Sequence, residues 1–193
     1  MKLAILSDIH GNSIALELIL KGIRQHKVDQ VYFLGDAVNY YPDCNEVVQT
    51  LRKNEICCIK GNHDYMITSN QQVSDHKASV YRLVDTKRLI NLENLKFLDR
   101  LPTSLSIEID NIKIYLVHGS PWNELEGYLY PDSDLTGFGE LNYDFVFCGH
   151  THRSMVRTTK HVTVANPGSA GMPRDIGNEA SYLIFDTETG SCH

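Results

Sequence analysis

Seven side chains of metal-binding type stand where short apolar runs stop: Asp8, His10, Asp36, Asn62, His118, His150 and His152. The run ends read Asp8-Ile9-His10-Gly11-Asn12, Gly35-Asp36, Gly61-Asn62-His63-Asp64, His118-Gly119 and Gly149-His150-Thr151-His152. Carboxylate oxygen, amide oxygen and imidazole nitrogen together suit divalent cations such as Mn, Fe, Zn, Ni or Co. No cysteine joins the set, which disfavours a closed structural zinc site. Seven ligands exceed what one ion needs but suit two ions sharing a carboxylate. Two metals roughly 3.5–4 Å apart form the clamp used in hydrolytic phosphate chemistry.

Such ligands need strands that end together. Leu3–Leu6 is long enough for one buried strand, and Ala15, Leu18, Ile19, Gly22 and Ile23 follow at helical spacing, with Asn12 or Ser13 as N-cap. Val31–Leu34 is a second strand. Asn45 is expected to cap a helix whose inner face is Val47, Val48 and Leu51, and Ile56–Ile59 is a third strand. Strand, helix, strand, helix, strand predicts parallel pairing with right-handed crossovers. From Tyr65 to about Arg100 the pattern is amphipathic and helical, with Val80, Leu83, Val84, Leu95 and Leu98 as inner positions, and Pro102 stops it. Leu105, Ile107 and Ile109 then alternate with polar residues, as do Ile112, Ile114 and Leu116, so Asp110-Asn111 reads as a hairpin turn. Residues 120–144 form a long Gly/Pro/aromatic loop, of the kind that is usually functional. Phe145–Cys148, Met155–Thr158, His161–Ala165 and Tyr182–Phe185 complete the strands. The expected fold is α/β, with two packed sheets flanked by helices and the glycine-punctuated ends on one edge, where open α/β sheets bind ligands.

A hydrophobic fraction of 42% in 193 residues supports one core, so a single domain over residues 1–193 is expected. A net charge of −6 argues against a general nucleic-acid binder, leaving nucleic acid only as a substrate. Bound cations would still supply local positive charge for a phosphate. The five cysteines form no C-x-x-C pair, and Cys57, Cys58 and Cys148 sit in apolar runs, so reduced thiols are expected. No charged-then-apolar leader opens the chain and no run nears membrane-span length. A soluble cytoplasmic protein without a membrane partner is expected, its oligomeric state left open.

The ordered segments D-x-H, G-D, G-N-H-[DE], H-G and G-H-x-H resemble those of the calcineurin-like metallophosphoesterase superfamily, over residues 8 to 152. Gly35-Asp36-Ala37-Val38 running into Tyr41-Pro42-Asp43, and Asn166-Pro167-Gly168-Ser169 with Pro173-Arg174-Asp175, look like its small prokaryotic phosphodiesterase-like branch. The resemblance implies a four-layer α/β/β/α sandwich with two mixed sheets. It implies two divalent metals, manganese first among the candidates. Asp8, His10 and His152 would hold one and Asn62, His118 and His150 the other, with Asp36 bridging. A bridging hydroxide would attack a phosphate ester, His63 would protonate the leaving oxygen, and Asp64 would orient His63.

Asn39, Tyr40 and Arg174 are candidate substrate contacts, while Trp122, Tyr128 and Tyr130 either line a pocket or bury the long loop. His26, His76, His161 and His193 match no motif and read as surface residues. Phosphoprotein phosphatases of the superfamily carry an arginine shortly after the second motif. Here Asn39-Tyr40-Tyr41 stands instead. Some small bacterial phosphodiesterases carry cysteine at the position of His63, and keeping histidine leaves monoesters within reach. The expected function is therefore hydrolysis of a phosphodiester or small phosphomonoester. Dinucleoside polyphosphate, cyclic nucleotide or protein phosphatase-type hydrolysis are the alternatives. A non-catalytic interaction module, as in the retromer subunit of similar fold, is the reading from another class.

Overall fold

The apolar run at the start of the chain is continuous because its strand is covered on both faces. Leu3 and Ile5 point to one side and Ala4 and Leu6 to the other, and all four are fully buried. The computed structural model describes every residue from 1 to 193 except Asn70 and Asn178. In chain order the first half holds β1 (Lys2–Leu6), α1 (Ser13–Gln25), β2 (Gln30–Phe33), α2 (Cys44–Lys53) and β3 (Cys57–Cys58). Helices α3 (Asn62–Thr68), α4 (Asp75–Val80), α5 (Leu83–Leu89) and α6 (Leu92–Arg100) follow. Then come β4 (Ser104–Ile109), β5 (Ile112–Val117), a 3-10 turn (Thr136–Glu140) and β6 (Phe145–Phe147). The chain closes with β7 (Ser154–Thr158), β8 (Thr163–Pro167), β9 (Leu183–Asp186) and β10 (Ser191–Cys192).

These strands make two mixed five-stranded sheets, ordered β10-β9-β1-β2-β3 and β4-β5-β6-β8-β7. β1, β2 and β3 pair in parallel, as do β5, β6 and β8. Leu3, Ile5 and Leu34 of the first sheet meet Ile114, Leu116 and Phe147 of the second in the layer between them. The other face of the first sheet packs on Leu16, Ile19 and Ile23 of α1 and Val47, Val48 and Leu51 of α2. Each such side chain contributes roughly 1.5–3 kcal/mol by leaving water. The outer face of the second sheet, with Val117, Val146 and Val164, is covered by Leu129, Leu135 and Phe138 from the long loop. Its outer layer is therefore loop with the 3-10 turn at Thr136–Glu140.

Several local expectations need correction. Asp43, not Asn45, is the N-cap of α2. The Asn45 side chain instead donates to Leu89 O and accepts from Asn91 N–H, tying α2 to the helices after it. The amphipathic stretch is broken by Arg82 in a left-handed conformation and by the Asn91 cap, so one helical phase does not run through it. Leu83 and Leu98 are buried as expected, but Val80 is 49% exposed and Val84 71%. β10, in the polar tail, carried no pattern of its own and forms by pairing with β9. All five cysteines are free thiols. Among the described residues no helix is long and apolar enough to cross a membrane.

Candidate metal centre

The strand ends carry an unusual backbone. Asp8, His10, Asp36, Asn39, Tyr40, His150 and His152 all have positive φ, between 53° and 73°. Such conformations cost side-chain-bearing residues energy and persist only where surroundings over-determine them. Here the loops are stitched together: Asp8 N–H donates to Gly35 O at 3.0 Å, His10 N–H to Asp36 O at 2.9 Å, and Gly149 N–H to His118 O at 2.8 Å. Two glycines allow the close approach. A Cβ on Gly61 would lie 2.1 Å from Asp36 Oδ1, and one on Gly149 would lie 2.2 Å from Ser7 Oγ.

Every expected ligand is buried, and three overlapping groups form: Asp8, His10 and His152; His10, Asp36 and His63; Asp36, His118 and His150. Each carboxylate spends one oxygen on backbone. Asp8 Oδ2 accepts from His150 N–H at 3.1 Å and Asp36 Oδ1 from His63 N–H at 2.8 Å. The other oxygens face imidazoles: His152 Nε2 lies 3.2 Å from Asp8 Oδ1, and His118 Nε2 lies 3.3 Å from Asp36 Oδ2. Asn62 joins through Oδ1, 3.0 Å from His118 Nε2. Three rings are held from behind, with Nδ1 of His10, His118 and His152 on the carbonyl oxygens of Val38, Leu34 and Met172 at 3.1, 2.8 and 2.6 Å. A proton on each Nδ1 leaves the Nε2 lone pairs pointing inward, which is how metal-binding imidazoles are oriented.

The consequence is a cluster that is incomplete by itself. His10 Nε2 and His152 Nε2 stand 3.1 Å apart, and with both Nδ1 atoms protonated two lone pairs confront each other. Asp8 Oδ1 and His150 Nε2 are buried without a hydrogen-bond partner, a costly state for polar atoms. Burial pulls His10 down to about 3 and His150 to about 4, so both rings are neutral. Burial opposes ionisation of Asp8 and Asp36 too, but the facing histidines outweigh it and hold both carboxyls below their ordinary range. Burial also opposes charge on His118, but Asp36 overrides it and lifts that ring to about 9. Nitrogen donors and anionic oxygens converging on one space fit divalent cations.

Next to this cluster lies His63, its ring centroid 4.9 Å from that of His10. The expectation that Asp64 orients it is not met. The Asp64 carboxylate accepts three backbone N–H groups instead, from Asp36 at 2.8 Å, Ala37 at 2.9 Å and Gly61 at 3.0 Å. Its position as third residue of α3 aims it back at the helix start, where orphan amides are. Burial and the Asp36 charge push its carboxyl up to about 7, against the pull of those amides. The His63 ring is held by Asn39, whose Nδ2 lies 3.0 Å from Nδ1. The same Nδ2 is 3.5 Å from His63 O, an obligate acceptor, so the amide nitrogen is the atom facing the ring. Asn39 is fully buried; it was expected at the substrate and is found behind the imidazole.

Tyr40 is half-buried, its ring 5.1 Å from that of His63. Burial, with Tyr81 adding to it, pushes its hydroxyl up to about 12, and the charge of nearby Arg174 opposes the shift. Tyr40 and Arg174 are therefore together at the rim. Tyr81, which matched no motif, packs on His63 at 4.5 Å between ring centroids and accepts Tyr40 N–H through its carbonyl. Its only signal was an aromatic residue within an amphipathic helical stretch.

A family profile described as Calcineurin-like phosphoesterase superfamily domain matches residues 1–190. The chain belongs to that superfamily. It is similar to an uncharacterized protein of Methanocaldococcus jannaschii, 34% identical over 95% of this chain and 82% of the relative. A phosphodiesterase of the same archaeon is 27% identical over 87% of this chain and 83% of its own. A solved structure of a hypothetical protein from Pyrococcus horikoshii OT3 superposes with a TM-score of 0.86 at 25% identity, covering 100% of this chain and 86% of that one.

Proposed function

We propose that this chain is a metal-dependent phosphoesterase that hydrolyses a phosphodiester or a small phosphomonoester. The observation that carries the reading is the pair of His10 and His152 Nε2 atoms 3.1 Å apart, beside the unpartnered Asp8 Oδ1. A divalent cation would relieve that arrangement. Asp8, His10 and His152 would hold one divalent metal, and Asn62, His118 and His150 another, with Asp36 shared. Bound there, such metals would activate water as the nucleophile and neutralise charge on the phosphoryl oxygens.

The remaining work belongs to the chain itself. Asn39 holds the His63 ring at Nδ1, which leaves Nε2 as the nitrogen free to meet the substrate. Burial, only partly offset by Asp36, lowers the His63 pKa, so the ring gives up its proton readily once charged, and that imidazolium proton is the one offered to the leaving oxygen. Tyr40 and Arg174 reach the substrate from the rim, where a guanidinium suits a phosphate oxygen. Asp64 keeps the Asp36 and His63 loops in register. The phosphodiesterase relative from Methanocaldococcus jannaschii supports a diester among the substrates.

The test is hydrolysis of bis-p-nitrophenyl and p-nitrophenyl phosphate with Mn²⁺, repeated across Ni, Fe, Zn and Co. Activity should vanish with chelator, return with metal, and be lost in Asp36→Asn. Rates that ignore both chelator and the substitution overturn the proposal.

A further inference from the structure

Two exposed tyrosines stand beside the candidate metal centre, one of them against His150. Tyr128 is 55% exposed and Tyr130 40%. Their rings are nearly parallel, 11° apart with centroids at 5.7 Å. The Tyr128 ring centroid lies 4.3 Å from that of His150. A loop that only needed to bury itself would turn such rings inward. Leu129, between them, does so instead, packing on the outer face of the second sheet with Leu135 and Phe138. Leu129 is 5% exposed while its two tyrosine neighbours stay outside, so the anchor inside the loop leaves both rings on the surface.

The segment is fastened at both ends. Gly127 N–H donates to Asn123 O at 2.9 Å. Tyr130 N–H donates to Ser133 Oγ at 2.9 Å, and Ser133 N–H returns to Tyr130 O at 3.0 Å. Gly119, which follows His118, packs so closely on Gly127 that a Cβ would lie 2.6 Å from its amide nitrogen. The rings are thus registered to His118 and His150 through backbone. Preorganised aromatic surface of this kind stacks flat groups without reading their edges.

A phosphodiester has two substituents, one that leaves and one that stays. His63 lies among Tyr40 and Tyr81, so the leaving oxygen faces that side. The retained substituent lies equatorial in an in-line displacement, and the exposed ring against His150 is aromatic surface at the centre that can meet it. We infer that the Tyr128–Tyr130 ledge binds a flat aromatic group, aryl or nucleobase in type, carried on the retained substituent of a phosphodiester. This rests on the phosphoesterase reading. In the reaction the hydroxide oxygen bonds to phosphorus, and the bond to the leaving oxygen breaks with its electron pair. That oxygen takes the proton from the His63 imidazolium, which is left neutral. The bond to the retained aryl group is untouched.

Methyl phenylphosphonate and methyl methylphosphonate test the ledge, because in both the retained group is joined through carbon and differs only in its ring. Calorimetric titration into the Mn²⁺-loaded full chain should show the phenyl compound binding about tenfold more tightly. The ratio should fall toward one in Tyr128→Ala and in Tyr130→Ala and persist in Tyr128→Phe. Equal binding by the wild-type chain overturns the inference, as does a ratio unchanged by both alanine substitutions. Should Tyr128→Ala fail to fold, Tyr130→Ala decides alone, since its ring is one step further from His150. A chain that hydrolyses no phosphate ester overturns the enzymatic reading by itself, and the binding ratio still decides the ledge.

Discussion

The hairpin tip and the metal centre solve the same backbone problem in opposite ways. Asp110 and Asn111 join β4 and β5 with φ of 52° and 63°, as a two-residue hairpin turn requires. Asp and Asn tolerate that conformation, and the tip is exposed, with Asp110 bonded to the Met1 ammonium and Thr187. At the centre the same conformation is imposed on histidines, aspartates and a tyrosine, most of them fully buried. Asp8, Asp36 and Asn39 tolerate it there as the tip residues do, but Tyr40 has no such preference and burial denies the loops water as a partner. The conformation is held by hydrogen bonds between loops far apart in sequence, and by glycines that let those loops touch. At the tip the sequence suits the backbone; at the centre the backbone serves the side chains.

That contrast can be attacked at several points. The largest expected effect is chemical: His63→Ala should lower kcat by about 10²–10⁴-fold for alkyl leaving groups and far less for p-nitrophenolate, which needs no proton. Equal losses for both would remove His63 as the acid. Asp64→Ala strands three buried amides, and should cost about 3 kcal/mol or more in chemical denaturation. A stable Asp64→Ala chain would mean the loops are registered by something else. Metal should act on the centre alone: Mn²⁺ at 100 times its dissociation constant should add about 2.7 kcal/mol to stability, and Asp36→Asn should abolish the gain. Asn39→Ala should lower kcat about 10–100-fold with little change in KM, as loss of an orienting partner does. At the tip, Asn111→Gly should stabilise by only a few tenths of a kcal/mol and leave metal content unchanged. A loss of metal there would show that the two regions are coupled.

Much of the fold was legible because its signals are local. β1, α1 and β4–β5 announce themselves through continuous, helical and alternating apolar patterns, each set by which faces are covered. The stretch after α3 was misjudged at Val80 and Val84, because Arg82 and Asn91 reset the helical phase and periodicity does not register such breaks. β10 was invisible because it consists of Ser191 and Cys192 and exists only through its neighbour. Tyr128 and Tyr130 could be read either way from sequence. Their exposure depends on Leu129 reaching the outer face of the second sheet.

For the centre, the sequence determined the ligand chemistry, since Asp8, His10, Asp36, Asn62, His118, His150 and His152 state their donor atoms by type and sit beside glycines at strand ends. It also determined that a histidine, His63, stands beside them. Only the tertiary structure decided who holds that histidine. Asp64 is its neighbour in sequence, but a residue at the start of a helix turns its carboxylate to the free amides there. Asn39, on another loop, is the side chain left within reach of Nδ1. Adjacency along the chain sets composition, whereas the direction of a side chain is set by the backbone that carries it and the partners folded against it.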